Sequence, residues 1–223
     1  AVDGFGRART STPLTLFDSS HRYDDNQLWA TSNSAAGNST VTFSANQGLM
    51  ELAVSNAANA EIIRETNKVF SYQPGKSLQS LNTFVFNTAQ TNLRQRVGFF
   101  GAQNGIYLEL SDDVLYFVRR YYNLGSVQEE RIAQTSWNVD KLNGVGPSKI
   151  TLDISTAQIF FIDVEWLGVG SVRCGFVIDG QLIHCHSFHH ANESGSNSTY
   201  MTTATLPLRY EITNTGTTGN SSV

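Results

Sequence analysis

The chain has 223 residues and a mass of 24.5 kDa, with 15 Lys and Arg against 19 Asp and Glu, giving a formal net charge of -4. That length supports a sizeable core in one domain, and the charge, with no basic block, excludes nucleic acid and anionic membrane as expected partners. No apolar run approaches the roughly 20 residues that cross a bilayer, and no basic segment leads into an apolar signal core.

Residues 1–35 carry glycines, a Ser-Thr-Pro cluster and mixed charge without periodicity, and read as an extended arm. The β-prone runs Thr40 to Phe43 and Leu49 to Val54 follow, then two more within "AEIIRETNKVFSYQPGKS", stopped at Pro74-Gly75. Further runs cover 81–86, 94–100, 105–110, 114–122, 127–133, 159–188 and 206–213, ahead of a polar tail at 214–223. No stretch keeps a helical period for three turns. About ten to thirteen short strands without intervening helices predict an all-β fold over residues 36–213: an antiparallel β-sandwich, jelly-roll or concanavalin-like.

In "NGIYLELSDDVLYFVRRYY", Ile106, Leu108 and Leu110 share one strand face, Tyr107 and Glu109 the other, and Asp112-Asp113 makes the turn. Arg119 and Arg120 point to opposite faces, and placement near the strand end is the favoured way to solvate the inward one.

"RCGFVIDGQLIHCHSFHH", residues 173–190, holds both cysteines and four of the five histidines. A two-residue turn at Asp179-Gly180 sets Ile178 opposite Gln181, Phe176 opposite Ile183, Cys174 opposite Cys185 and Val172 opposite Ser187. The other face then pairs Val177 with Leu182, Gly175 with His184 and Arg173 with His186. Cys174 and Cys185 are expected at a Cα separation of about 5.5 Å, as buried thiols in the first instance, with a disulfide or metal ligation as alternatives. His184 and His186 would share a partly covered face or an assembly interface. The neighbouring Arg173 disfavours a cation there, and no cofactor or metal is expected.

Asp163 and Glu165 share a strand face at roughly 6 to 7 Å between Cα atoms. They resemble part of the Glu-x-Asp-x-Glu strand of concanavalin-like retaining glycosidases, with Phe161 where the first Glu would stand. Glu109 is the carboxylate that would have to approach from another strand to restore a pair. Trp29, Trp137 and Trp166, with Tyr121 and Tyr122, are candidate stacking platforms for a glycan. There is no G-x-S-x-G elbow, H-E-x-x-H helix or phosphate loop. Sequons at Asn38, Asn192, Asn197 and Asn220 matter only in a secretory pathway.

Several phrases together resemble virion structural proteins of tailed bacteriophages: "DGFGRARTSTPLTLFDS" (3–19), "FSYQPGKS" (70–77), "RVGFFGAQNGIYLEL" (96–110), "WNVDKLNGVGPSKITLD" (137–153), "FIDVEWLGVGSVRCGFVIDG" (161–180) and "LPLRYEI" (206–212). The resemblance implies a particle component located in the virion, as capsid, head-fibre or tail-associated protein. It would be a homo-oligomer, with a trimer as one form, assembling with other virion structural proteins and without enzymatic activity. Phe5, Arg7 and Phe17 of the arm, with His184 and His186, are the candidate interface residues. A module binding a cell-surface glycan or host receptor is the alternative reading, and a glycoside hydrolase the third.

Overall fold

The computed structural model describes residues 14–21, 23–34, 38–123 and 125–219. Thirteen strands form over them: β1 (Trp29–Asn33), β2 (Thr40–Ser44), β3 (Leu49–Ala53), β4 (Glu61–Thr66), β5 (Leu78–Phe84), β6 (Leu93–Phe100), β7 (Gly105–Ser111), β8 (Val114–Asn123), β9 (Ser126–Ala133), β10 (Gln158–Val164), β11 (Val172–Ile178), β12 (Gln181–Phe188) and β13 (Leu208–Asn214). A single 3-10 turn, Gln134–Ser136, follows β9. Every pairing is antiparallel, and the result is a β-sandwich. One sheet has seven strands in the order β1-β4-β13-β6-β7-β8-β9; the other has four, β12-β11-β10-β5; β2 and β3 form a separate hairpin.

Period-two alternation places the core. Val97 and Phe99 of β6, Ile106, Leu108 and Leu110 of β7, and Leu115 and Phe117 of β8 face Phe160, Ile162 and Val164 of β10 and Val172, Cys174 and Phe176 of β11. Trp137 closes this core: its indole stacks on Phe117 with centroids 4.1 Å apart, and its Nε1 donates to the Ile132 carbonyl at 3.2 Å. A second cluster, in which Val41 and Leu52 of the β2-β3 hairpin cover Ile62, Leu93 and Ile212, extends the buried layer over the inner side of β4 and β13.

The segment expected to be an irregular arm to residue 35 contains β1, an edge strand paired with β4 from Trp29↔Thr66 to Asn33↔Ile62. Residues ahead of it are held on the same chain. Phe17 packs on Phe70 and Trp29, Trp29 Nε1 donates to Ser19 Oγ at 2.8 Å, and Arg64 forms an ion pair with Asp25. "WATSN" has one aromatic, one alanine and three small polar positions, too short an alternation to stand out as a strand. Phe70, expected in a strand, makes only an isolated bridge to Leu206.

The Asp179-Gly180 turn forms with both residues at positive φ, 51° and 74°, and the expected register holds from Ile178↔Gln181 to Gly175↔His184. It then breaks. A bulge between Cys174 and Gly175 leaves Cys185 as the extra residue, so Cys174 lies opposite His186, Arg173 opposite Ser187 and Val172 opposite Phe188. The expected Cys174/Cys185 and Arg173/His186 pairs are therefore corrected by one residue. The segment after the 3-10 turn supplies the reason: Val139 and Asp140 N–H groups both donate to the Cys185 carbonyl at 3.0 Å, and the Asn138 amide brackets the Ser187 backbone in both directions at 2.9 Å. Edge strand β12 is thus anchored from its far side over 185–187, where the extra residue is accommodated.

Candidate functional site

The outer side of the seven-stranded sheet carries a continuous set of charged and aromatic side chains. Alternation in β6, β7, β8, β9 and β13 puts Arg94, Arg96, Tyr107, Glu109, Tyr116, Arg120, Glu129, Arg131, Arg209 and Glu211 on that side, away from the apolar core. They form an alternating ladder. Arg120 Nη2 binds Glu129 at 2.8 Å, and Glu129 receives Arg94 Nη2 at 3.0 Å. Arg94 also reaches Glu109 at 2.7 Å, which receives Arg96 at 2.8 Å. Arg96 pairs with Glu211, and Glu211 with Arg209 at 2.6 Å. Arg209 continues to Glu65 at 3.4 Å, and Arg131 closes on Glu109 from the other side.

An aromatic tier lies beneath the guanidinium groups. Arg120 and Arg209 stand over the Phe100 ring at 5.6 and 5.2 Å; Arg96 and Arg120 stand over Tyr107 at 5.7 and 5.1 Å; Arg131 lies over Tyr116 at 4.1 Å. This stacking explains why Phe100, Tyr107 and Val118 are buried on an outward-pointing face. Gly98 makes room for it, since a Cβ there would meet Tyr107 Cα at 2.7 Å.

The face is concave. Arg94 sits on β6 and Glu129 on β9, with β7 and β8 between them and with their register positions on β7, Ser111 and Gly105, six residues apart, a separation of about 24 Å on a flat sheet at the usual strand and residue spacings. Their 3.0 Å contact closes only if the sheet curls so that these side chains converge. Arg131 on β9 likewise crosses β8 to reach Glu109 on β7. Hydrogen-bond partners of the ladder lie on strands of the same sheet or, for Arg120 Nη1, at the Gly101 carbonyl beside it.

Two of the carboxylates, Glu129 and Glu211, are held ionised. Burial alone would raise Glu129, but hydrogen bonds from Tyr107 and Arg120 and the nearby guanidinium charges bring its carboxyl down to about 2. Glu211 is also buried, and the charges of Arg96 and Arg209 lower it. Glu109 is fully buried and accepts from three arginines, Arg94, Arg96 and Arg131. Glu129 and Glu211 are thus structural anions and poor general acids at neutral pH.

The residues singled out in the sequence are dispersed. Trp137 is a core residue, 2% exposed, and offers no ring face to a ligand. Trp29 is half-buried against Phe17 and Tyr210, where it pins the N-terminal segment. Trp166 is half-buried, edge-on to Tyr72, with Nε1 donating to the Met201 carbonyl at 3.3 Å. Phe17 packs inside its own chain, and Phe5 and Arg7 lie outside the described residues. The bulge separates the two histidines expected on one face. His186 turns inward, stacked near Phe117 and edge-on to Phe188 at 4.6 Å, while His184 bonds Ser187 Oγ at 2.9 Å. Burial lowers His186 to about 4, helped by His184 and His189.

Arg119 and Arg120 alternate as expected, but both are ion-paired within the sheet, with Glu130 and Glu129, instead of being freed at a strand end. Arg119 is the inward one, over Phe188 and Tyr200. Asp163 lies on the outer side of the four-stranded sheet, opposite Arg173, while Glu109 points out of the other sheet. The sandwich therefore keeps Glu109 from pairing with Asp163.

Sequence reasoning missed the ladder as a unit. Its signal was charged residues two apart inside strands, Arg94-x-Arg96, Glu129-x-Arg131 and Arg209-x-Glu211. Their convergence depends on a strand order that the sequence does not encode locally. Two cavities, about 320 and 260 Å³, share Gln134 at one end of the sandwich; Lys141, Leu142 and Thr151 line the first, and Asn87, Asp113 and Ser155 the second. Among the described residues no cluster of three or more His, Cys, Asp or Glu is arranged to hold a metal ion.

No family model matches the chain, and no curated protein matches it. Solved structures do. The β-glucanase of Bacillus licheniformis is 11% identical, with 91% of this chain and 94% of that one covered at a TM-score of 0.49. A legume lectin-like domain from Entamoeba histolytica is 10% identical, covering 94% of both chains at a TM-score of 0.44. A protein of unknown function from Shewanella oneidensis MR-1 is 13% identical, covering 88% of this chain and 75% of that one at a TM-score of 0.47. Carbohydrate recognition domains of Emp47p and Emp46p and botulinum neurotoxin domains match as well, and none of these is a phage particle protein. The resemblance to virion structural proteins is corrected accordingly. The phrases that carried it fall largely on hairpins, β6-β7 for "RVGFFGAQNGIYLEL", β10-β11 for "FIDVEWLGVGSVRCGFVIDG", and on strand β13 for "LPLRYEI". Alternating apolar residues and glycine turns of that kind belong to antiparallel sandwiches in general.

Proposed function

We propose that this chain is a glycan-binding module whose ligand sits on the concave outer face of the seven-stranded sheet. The observation that carries the reading is the two-tier arrangement itself, in which guanidinium groups are fixed from below by aromatic rings and from the side by carboxylates. Sugars are recognised by directional hydrogen bonds around a ring whose C–H face rests on an aromatic or planar group. A site already ordered by its own contacts loses little side-chain entropy when such a ligand binds.

The chemistry of the face favours a polar ligand over a protein partner. Of the exposed large hydrophobic residues, only Val114 and Val127, at 39% and 43%, belong to this side of β8 and β9. A stable protein interface needs a desolvated apolar centre, which two peripheral valines do not supply. The test is a screen of the purified chain against immobilised oligosaccharides, followed by titration calorimetry on the best ligand. Saturable binding that weakens when Arg94 and Arg131 are both replaced by Ala supports the reading. The absence of binding to any oligosaccharide in the screen contradicts it.

A further inference from the structure

The glycan reading leaves the ligand class open, and the distribution of charge on the face narrows it. The ladder holds five arginines, Arg94, Arg96, Arg120, Arg131 and Arg209, against four glutamates, Glu65, Glu109, Glu129 and Glu211. With Glu61, whose carboxylate shares the Thr213 hydroxyl with Glu211, the face is balanced at five arginines against five glutamates, so the selectivity lies in where unused guanidinium donors reach the surface. The positions of these groups sharpen the point. Arg96, Arg120 and Arg209 are buried, with side chains 6%, 9% and 9% exposed, whereas Arg94 and Arg131 are 21% and 33% exposed.

Those two arginines flank one anion. Arg94 binds Glu109 Oε2 and Arg131 binds Glu109 Oε1, so the single buried carboxylate sets the position of both. Each retains donors for something else. Among the described residues, Arg94 Nη1 and the Nε and Nη1 of Arg131 have no hydrogen-bond partner, and Arg131 is an exposed residue. The Arg131 guanidinium carbon lies 4.1 Å from the Tyr116 ring centroid, and its Nη2 donates to Glu109 Oε1, so the group is held from two sides. Its Nε and Nη1 remain as donors for a second oxyanion. Glu129, the half-buried acid bound to Arg94, has both oxygens occupied, Oε1 by Tyr107 and Arg120 and Oε2 by Arg94.

Resting on the glycan reading, we propose that the ligand is an acidic sugar, a pyranose bearing a carboxylate or a sulfate, whose anionic group is held between the outward edges of Arg94 and Arg131. Guanidinium forks match such oxyanions with two parallel hydrogen bonds, which a lysine in the same place would not do. The anion completes the alternation that the protein leaves unfinished at its exposed end.

The experiment uses the full chain and three oligosaccharides of one backbone, uncharged, uronate-bearing and sulfate-bearing, with affinities from titration calorimetry at 0.05 and 0.5 M salt. The expected result is at least tenfold tighter binding of one or both acidic forms than of the neutral form at low salt, narrowing as salt rises. The two acidic forms distinguish carboxylate from sulfate. Arg131→Ala should reduce the acidic-to-neutral preference at least tenfold, and Arg131→Lys should restore it only in part. Lys76→Ala, on a loop away from the face, removes the same charge and should leave the preference as it is. Thermal unfolding of each variant confirms that it is folded; should Arg131→Ala fail that check, Arg131→Gln takes its place. Equal affinity for neutral and acidic forms overturns the acidic-sugar inference while leaving the glycan reading standing. Failure to bind all three, and every sugar in the wider screen, overturns both.

Discussion

Replacing Glu109 by Gln tests whether the ladder is an integrated structure. The carboxylate is fully buried and is the shared acceptor of Arg94, Arg96 and Arg131. Gln keeps the shape and one acceptor oxygen, but it removes the charge that offsets three guanidinium groups. Removing one partner of a buried ion pair costs about 3–5 kcal/mol, because the remaining charge is left desolvated and uncompensated. Here Arg96 bears most of that penalty. It is 6% exposed and keeps only Glu211, whereas Arg94 and Arg131 can swing towards water. In a domain of this size 1 kcal/mol moves the melting temperature by about 2–4 °C, so a fall of roughly 6–20 °C is expected. The assay is thermal and urea unfolding of Glu109→Gln beside Lys76→Ala, whose exposed position predicts a change within about 0.5 kcal/mol. If Glu109→Gln unfolds within 1 kcal/mol of the parent chain, the three arginines do not depend on this carboxylate and the ladder is a collection of separate surface pairs.

Four further outcomes follow from the same contacts. Trp137→Ala should lose about 3–5 kcal/mol in urea unfolding, since the indole fills the core against Phe117 and Phe176. His186 is held near 4 by burial, so the unfolded chain takes up its proton first as pH falls below the ordinary value of 6.5. Its contribution is fully present above pH 6.5 and lost towards pH 4, at most about 3 kcal/mol, and unfolding curves of His186→Phe should show a flatter pH slope across that window. Cys174 and Cys185 are buried free thiols, Cys185 pushed up to about 12 by burial, so both should react with a thiol reagent only after denaturation. Gly98→Ala should destabilise the chain and weaken ligand binding, because the new Cβ would meet Tyr107 backbone and side-chain atoms under the guanidinium tier. Normal stability of that variant would show that the aromatic tier can shift without cost.

Local chemistry made much of this fold legible. The Asp179-Gly180 and Asp112-Asp113 turns, the alternation in β7 and β10 and the absence of helical periods lead directly to an antiparallel sandwich. The register beyond Gly175 was not legible, because the bulge is imposed by Asn138, Val139 and Asp140, some 50 positions away, and leaves no mark on the β11-β12 sequence. The same distance problem hid the charged face. Glu109 reads locally as a polar residue on a hairpin; its three arginines come from β6 and β9, and only the strand order and the curl of the sheet bring them together. Tryptophans invited attention as stacking platforms, yet size and apolarity also suit them to the core, and Trp137 went there. The rings beneath the proposed site are tyrosines and a phenylalanine, which nothing in their immediate sequence sets apart.

The most direct test of the account is nuclear magnetic resonance of the isotope-labelled chain titrated with the acidic oligosaccharide that binds most tightly. Guanidinium Nε–H signals of Arg94 and Arg131, with amides of β6, β8 and β9 around Tyr116, should shift with a common saturation curve. Shifts gathered instead around Gln134, Lys141 and Leu142, where the larger cavity lies, or on the outer side of the four-stranded sheet would contradict it.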